Sequence, residues 1–241
     1  MKICRKLLWI FLLAVAVGGN SYAQEQMPAQ DRYVRTDGKK SGVAAMLYSR
    51  GEQWYVQVQG GGNYMAAENT RFVNFYRATA LSYAISAGKN FSTLWGIRLQ
   101  LTGGGDKGVY FPYQGDSPRY SFQHVGGIAE VTFNVTNFIR NAERGDESTW
   151  NVMLMLGPGV VHTYHFRRNG IDDYPLLDTS PRSHFLIYGG IEVSRQVDKN
   201  WNVNLEVSTD WMRDAYNGVV YDRPVEGHVN LLLGVRYTFG K

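Results

Sequence analysis

Cysteine is almost missing from this chain: Cys4 is the only one. It stands in the N-terminal segment MKICRKLLWIFLLAVAVGGNSYAQ, so the rest has no disulfide framework and no Cys-based metal or redox centre. Long apolar runs are lacking too. Beyond Val17 nothing approaches the roughly 18 consecutive apolar residues that a helical membrane span requires. That excludes helical spans but not membrane strands, whose outward apolar residues are diluted by inward polar ones. Charge of one sign is also scarce. Of the 25 Lys and Arg residues, three fall in the first 23 positions, which leaves 22 basic against 21 acidic residues in the remainder. The two signs are interleaved, so no basic patch argues for nucleic acid.

What is present begins with a targeting layout. Lys2, Arg5 and Lys6 precede an apolar run from Leu7 to Val17, and the small-residue site Ser21-Tyr22-Ala23 follows. This predicts a secretory signal peptide over residues 1–23, cleaved near Ala23. Cys4 lies ahead of the apolar run, where a lipid-modified cysteine would not be, so no lipid anchor is expected. Residues 24–53 are polar and patternless except for GVAAMLYS. They are read as an N-terminal leader, and residues 54–241 as one all-β domain.

From Trp54 onward the chain alternates. In WNVNLEVSTDW, residues 201–211, Trp201, Val203, Leu205, Val207, Thr209 and Trp211 share one face, and Asn202, Asn204, Glu206, Ser208 and Asp210 the other. A period of two marks a strand whose faces meet different media. Seven further segments repeat it. They begin at Trp54, run up to Leu81-Ser86, begin again at Trp95, and cover Ala129-Val135, the stretches from Trp150 and Phe185, and HVNLLLGVRYTFGK at the end. In the fifth the second face, with Met153, Met155 and Gly157, is the least polar.

Connections alternate in length. GKNFST and QVDKN, after strands two and six, are tight and rich in turn formers. Those after strands one, three, five and seven are longer and carry Gly, Pro, Asp and Arg. NFIRNAERGDEST, residues 137–149, is long where a short turn is expected. Trp54, Trp95, Trp150 and Trp201 open the strands of one direction, with Phe91, Tyr237 and Phe239 at their level; Tyr64, Tyr76, Tyr164, Phe185 and Trp211 lie near the other ends. Rings with an apolar body and a polar tip gather at the two edges of a bilayer. The reading is an all-β, eight-stranded antiparallel up-and-down transmembrane β-barrel, preceded by a periplasmic leader.

The segments WYVQVQGGGNYM, AISAGKNFSTLWGIRLQLTGG, IEVSRQVDKNWNVNLEVSTDW and LLLGVRYTFGK resemble the OmpA-type barrel domain of Gram-negative outer-membrane proteins, particularly those of Bacteroides-like bacteria. The resemblance runs from Trp54 to Lys241. It implies an outer-membrane location, and its aromatic-rich last strand looks like the signal read by the barrel-assembly machinery during insertion. No peptidoglycan-binding domain follows the barrel, so tethering to the cell wall is not expected.

If the even-numbered faces point inward, Arg98, Glu130, Glu192, Glu206 and Arg236 form one charged layer in the lumen. Arg98 is then expected to meet Glu130 and Arg236 to meet Glu206, with Glu192 facing Glu206. An eight-stranded barrel has room inside only for side chains, so these charges must pair or keep water. The expectation is a plug, with a gated pore as its rival.

Catalytic, cofactor and metal sites are not expected. GGGDKG, residues 103–108, matches a phosphate-cradle pattern but leaves a strand for a loop instead of opening a helix. His162 and His165, three apart, face opposite sides of a strand unless a bulge intervenes. His124, His184 and His228 read as rim or lumen residues. A lipid-modifying enzyme would need a His beside a nucleophile near the outer leaflet, for which His124, His165, Ser121 and Ser183 are the candidates.

In the loops Arg71, Lys107, Arg119, Arg167, Arg168, Arg182, Arg213 and Arg223 stand against Glu68, Asp106, Asp116, Asp172, Asp173, Asp178, Asp214, Asp222 and Glu226. The arginines suit lipopolysaccharide phosphates, and the long loops are where a surface ligand would bind. The expected role is non-enzymatic: envelope integrity and surface contact, with outer-membrane lipid and lipopolysaccharide as partners and no nucleic acid. A small diffusion pore is the runner-up, and a lipid-modifying enzyme comes third.

Overall fold

The computed structural model describes residues 53–66, 75–109, 119–140, 148–169, 178–213, 215–218 and 225–239. The signal peptide and nearly all of the leader lie outside them. Eight strands follow in order: β1 (Gln53–Ala66), β2 (Thr79–Asn90), β3 (Trp95–Val109), β4 (Arg119–Asn134), β5 (Trp150–Asn169), β6 (Arg182–Gln196), β7 (Trp201–Met212) and β8 (Glu226–Thr238). Each pairs antiparallel with the next, and β8 closes on β1. Closure leaves no unpaired sheet edge. The first strand starts one residue earlier than Trp54, at Gln53.

The barrel is inside out relative to a water-soluble protein. Leu81, Leu101 and Leu156 are 80%, 67% and 61% exposed, while Arg98, Glu192 and Glu206 are 0% exposed. Parity produces this result, because successive side chains of a strand take opposite faces. On β7 the outward row runs from Trp201 to Trp211 through Val203, Leu205 and Val207. Eleven residues separate the two rings inclusively, and about 9–11 tilted residues cross a hydrocarbon core. The outward aromatics also cover bare backbone: the Tyr83 ring lies over Gly103, and the Trp211 ring over Gly189.

Among the described residues two short helices interrupt the pattern, α1 (Phe75–Ala78) and α2 (Val135–Arg140). The second takes up the start of the long connection after β4 and corrects the placement of Val135, which opens a helix instead of extending the strand. The reason is a cap. The Asn134 side chain accepts a hydrogen bond from the backbone N–H of Asn137 at 2.9 Å, supplying one of the donors that a helix start leaves free. Asn137 in turn donates to the Thr93 carbonyl at 2.9 Å, tying α2 to the turn between β2 and β3. Tyr76, expected in the outer girdle, sits on α1, and the neighbouring Phe75 ring stacks on Tyr64 with centroids 5.1 Å apart.

Inside, large rings are admitted where the opposing residue is glycine. A Cβ on Gly88 would lie 2.2 Å from Cζ of Tyr55, a ring that also carries the Arg236 guanidinium 4.4 Å from its centroid. Gly88→Ala is therefore expected to displace Tyr55 and lower stability by about 1–3 kcal/mol, as overpacking does. The urea midpoint of the refolded barrel measures it.

Candidate functional site in the barrel lumen

Three tiers fill the lumen. The lowest, nearest the short turns, is the charged layer. Register sets Arg98 directly opposite Glu130, Glu192 opposite Glu206, and Arg236 opposite Gln57. Arg98 lies 2.8 Å from Glu130 and 2.8 Å from Glu206, and its Nη1 is 3.5 Å from Glu192. Its Nη2 also donates to the Tyr188 hydroxyl at 3.0 Å, which donates onward to Glu206. One guanidinium thus spans three carboxylates and separates the two like charges that pairing of β6 with β7 sets side by side.

Arg236 does not meet Glu206. Its Nη2 lies 2.7 Å from Glu192 and its Nε donates to Gln57 at 2.7 Å. Register is the cause: on β7 the residue facing Arg236 is Asn202, and Glu206 faces Leu232, four residues further along the strand. Gln57 and Gln59 complete the layer by donating to Glu192 at 2.9 Å and Glu206 at 3.1 Å. The layer holds three carboxylates against two guanidiniums, and Glu130 Oε1 accepts no hydrogen bond.

Above it an apolar cluster of Met65, Phe122, Ile128, Met155, Val161, Leu186, Tyr188 and Met212 interleaves with the third tier, Phe122 standing opposite Asp106 and Met65 opposite His228. The inward face of β5, the least polar in the sequence, contributes Met155 and Val161.

The third tier was not legible as a site. Asp106 and Glu226, expected among the loop charges, are buried at 1% and 2% exposure. The GGGDKG stretch does not leave a strand: β3 continues through it to Val109, which carries Asp106 inward on the parity of Arg98. Its carboxylate accepts from Asn63 at 2.6 Å and from the Tyr216 hydroxyl at 2.8 Å, and meets His124 Nδ1 at 2.7 Å. His228 lies 3.4 Å away, and Asp210 accepts from Asn230 at 3.0 Å. Tyr216 reaches this tier from the turn after β7 and is fully buried, its ring edge-on to His228 with centroids 4.7 Å apart. That turn is held by Gly218, whose φ of 82° favours glycine, and by a 2.8 Å bond from Asp178 N–H to the Gly218 carbonyl.

At the opposite mouth a cavity of about 90 Å³ opens beneath Arg236 and Met153, lined by Asn134, Asn137, Asn151 and Asn202. It ends at the charged layer.

The remaining candidates are dispersed. His124 and His228 point into the lumen and Ser121 points outward, so the structure does not bring His124 and Ser121 together. Ser183 does have a histidine beside it, His162 and not His165: Nδ1 and Oγ are 3.0 Å apart on the outer face of β5 and β6. Among the described residues no carboxylate orients that imidazole. A bulge does fall in β5, where Ser121 and Gln123 pair with Arg167 and Tyr164, and His165 takes φ 54°. Even so, among the described residues no group of three or more His, Cys, Asp or Glu side chains is placed to hold a metal ion.

No family model matches the chain, and no curated protein matches it in sequence. Solved structures do. The outer membrane protein OprG of Pseudomonas aeruginosa superposes with a TM-score of 0.50 at 8% identity, over 80% of this chain and 98% of that one. The fold is that of an outer-membrane barrel. Neisserial surface protein A gives 0.49 at 14% identity, over 76% of this chain and 96% of its own. Ail, the attachment invasion locus protein of Yersinia pestis, in complex with the heparin analogue sucrose octasulfate, gives 0.47 at 10%, over 78% and 99%. Identities this low speak for fold alone.

Proposed function

We propose that this chain is a non-enzymatic outer-membrane barrel that supports envelope integrity and surface contact, with its lumen closed to ions. In this reading residues 1–23 direct export and are removed, the leader remains in the periplasm, and the barrel-assembly machinery reads the aromatic last strand. The short turns face the periplasm and the longer connections face outward, where loops on a rigid scaffold meet lipopolysaccharide and surface ligands. The bilayer part of the reading rests on the continuous outward apolar belt bounded by tryptophans and tyrosines. The plug rests on one observation: Arg98, entirely buried, lies within ion-pair distance of carboxylates from β4, β6 and β7 and so ties three walls of the barrel together.

Conductance tests this. The purified barrel in a planar bilayer is expected to show no steady current above the bare membrane. Large, persistent channels in most insertions would replace the plug with a small diffusion pore.

A further inference from the structure

The outer face of β1 through β6 carries two features that the plug does not use. The first is an apolar groove of about 740 Å³ crossing the belt, floored by the small residues Ala87, Gly127, Ala129 and Pro158 and walled by Leu101 and Phe185. The second is a polar ladder rising from it. Register gives its rungs. Above the row of Leu101, Gly127, Val160 and Phe185 comes His162 beside Ser183, then Gln123 beside Tyr164, then Lys107, Ser121 and Arg167 side by side across β3, β4 and β5.

The bulge at His165 is what makes the top rung. It turns Phe166 inward to stack on Phe122, with centroids 4.8 Å apart, and returns Arg167 to the outer face opposite Ser121. Lys107 and Arg167 are both exposed. No carboxylate stands among the described outward residues of β3 to β6, and Asp178, just before β6, is ion-paired with Arg182. Among the described residues the two cations therefore face the headgroup level without an acidic neighbour on their own face.

We propose that this face is a specific site for one phosphorylated glycolipid of the outer leaflet. Its acyl chains fill the groove, the hydroxyl, amide and imidazole groups of the middle rungs take sugar hydroxyls, and a phosphate sits between Lys107 and Arg167. The inference rests on the membrane reading above. A groove over small residues suits a chain that must lie flat against the wall, because between apolar surfaces already in hydrocarbon the gain comes from close van der Waals packing and not from leaving water. A cationic pair suits phosphate, with Arg offering its fork. An uncharged lipid would satisfy the groove and leave the top rung without a partner.

The full chain, folded into phosphatidylcholine vesicles containing lipid A, its dephosphorylated form or phosphatidylglycerol, provides the test. Flotation reads insertion, and mass spectrometry of the intact complex reads retained lipid. Lipid A is expected to be retained over the other two. The pair Lys107→Ser with Arg167→Ser should lower retention by about tenfold. Ala129→Phe, which fills the groove and leaves the cations alone, should lower it as well, and Arg213→Ser, off this face, should change nothing. A barrel that floats with the vesicles yet retains lipid A equally in the double variant, or retains phosphatidylglycerol as well as lipid A, overturns the site while leaving the membrane reading intact. Failure to float overturns both.

Discussion

Replacing Arg98 by methionine is expected to remove about 3–5 kcal/mol from the stability of the folded barrel, the cost of leaving buried charges without their partner. Methionine keeps most of the side-chain volume, so little of that loss is a cavity effect. What remains is three carboxylates within a lumen too narrow to hydrate them: Glu130 and Glu206 lose contacts of 2.8 Å, and Glu192 keeps only Arg236 and Gln57. Glu192 and Glu206, opposite one another in the ladder, then repel with no cation between them. The readout is the urea midpoint in lipid vesicles, converted to free energy by the slope of the transition. Glu130→Gln supplies the contrast. It preserves shape, removes the surplus negative charge of the layer, and alters a residue whose Oε1 accepts nothing in the structure. Its expected cost is about 1 kcal/mol or less, because a neutral acceptor for Arg98 remains. If R98M and E130Q shift the midpoint alike, pairing within the layer does not hold the barrel together.

How far the sequence alone reaches is set by which physical rule each feature obeys. Parity is local: a residue two positions along keeps its face, so the outward rows of β3 and β7 can be read from WGIRLQL and WNVNLEV without a partner strand. Partner choice is not local. Level along the chain suggested Arg236 with Glu206, and the stagger between β7 and β8 instead puts Asn202 opposite Arg236. Composition misleads where strands outlast the membrane. GGGDKG has the look of a loop, yet Asp106 holds the parity of Arg98 eight residues on and ends up among His124, His228 and Tyr216. Only the alternation of that stretch, Thr102, Gly104, Asp106, carried the signal. Tyr216 gave none, because its burial depends on a turn folding back over the mouth. His162 and Ser183 are each ordinary in sequence and meet through cross-strand register alone.

The medium around the barrel is open to an equally large test. Leu205→Arg is expected to cost about 2–4 kcal/mol in a bilayer, the depth-dependent price of a guanidinium at mid-membrane on a barrel's lipid face. Leu205 is 45% exposed, stands between Val193 and Leu233 on the neighbouring strands, and lies roughly midway between the two rings that bracket β7. In water the same substitution would place a charge on an exposed surface and change stability by about 0.5 kcal/mol or less in either direction. The predicted loss therefore comes from the surroundings and not from lost protein contacts. Thr209→Arg, also outward on β7 but beside Trp211, should cost only about 0–1 kcal/mol because its long stem carries the charge to the headgroups. Urea midpoints of both variants in phosphatidylcholine vesicles decide it. A steep difference between positions 205 and 209 is the signature of hydrocarbon, and equal small shifts would mean that the apolar belt meets something other than lipid.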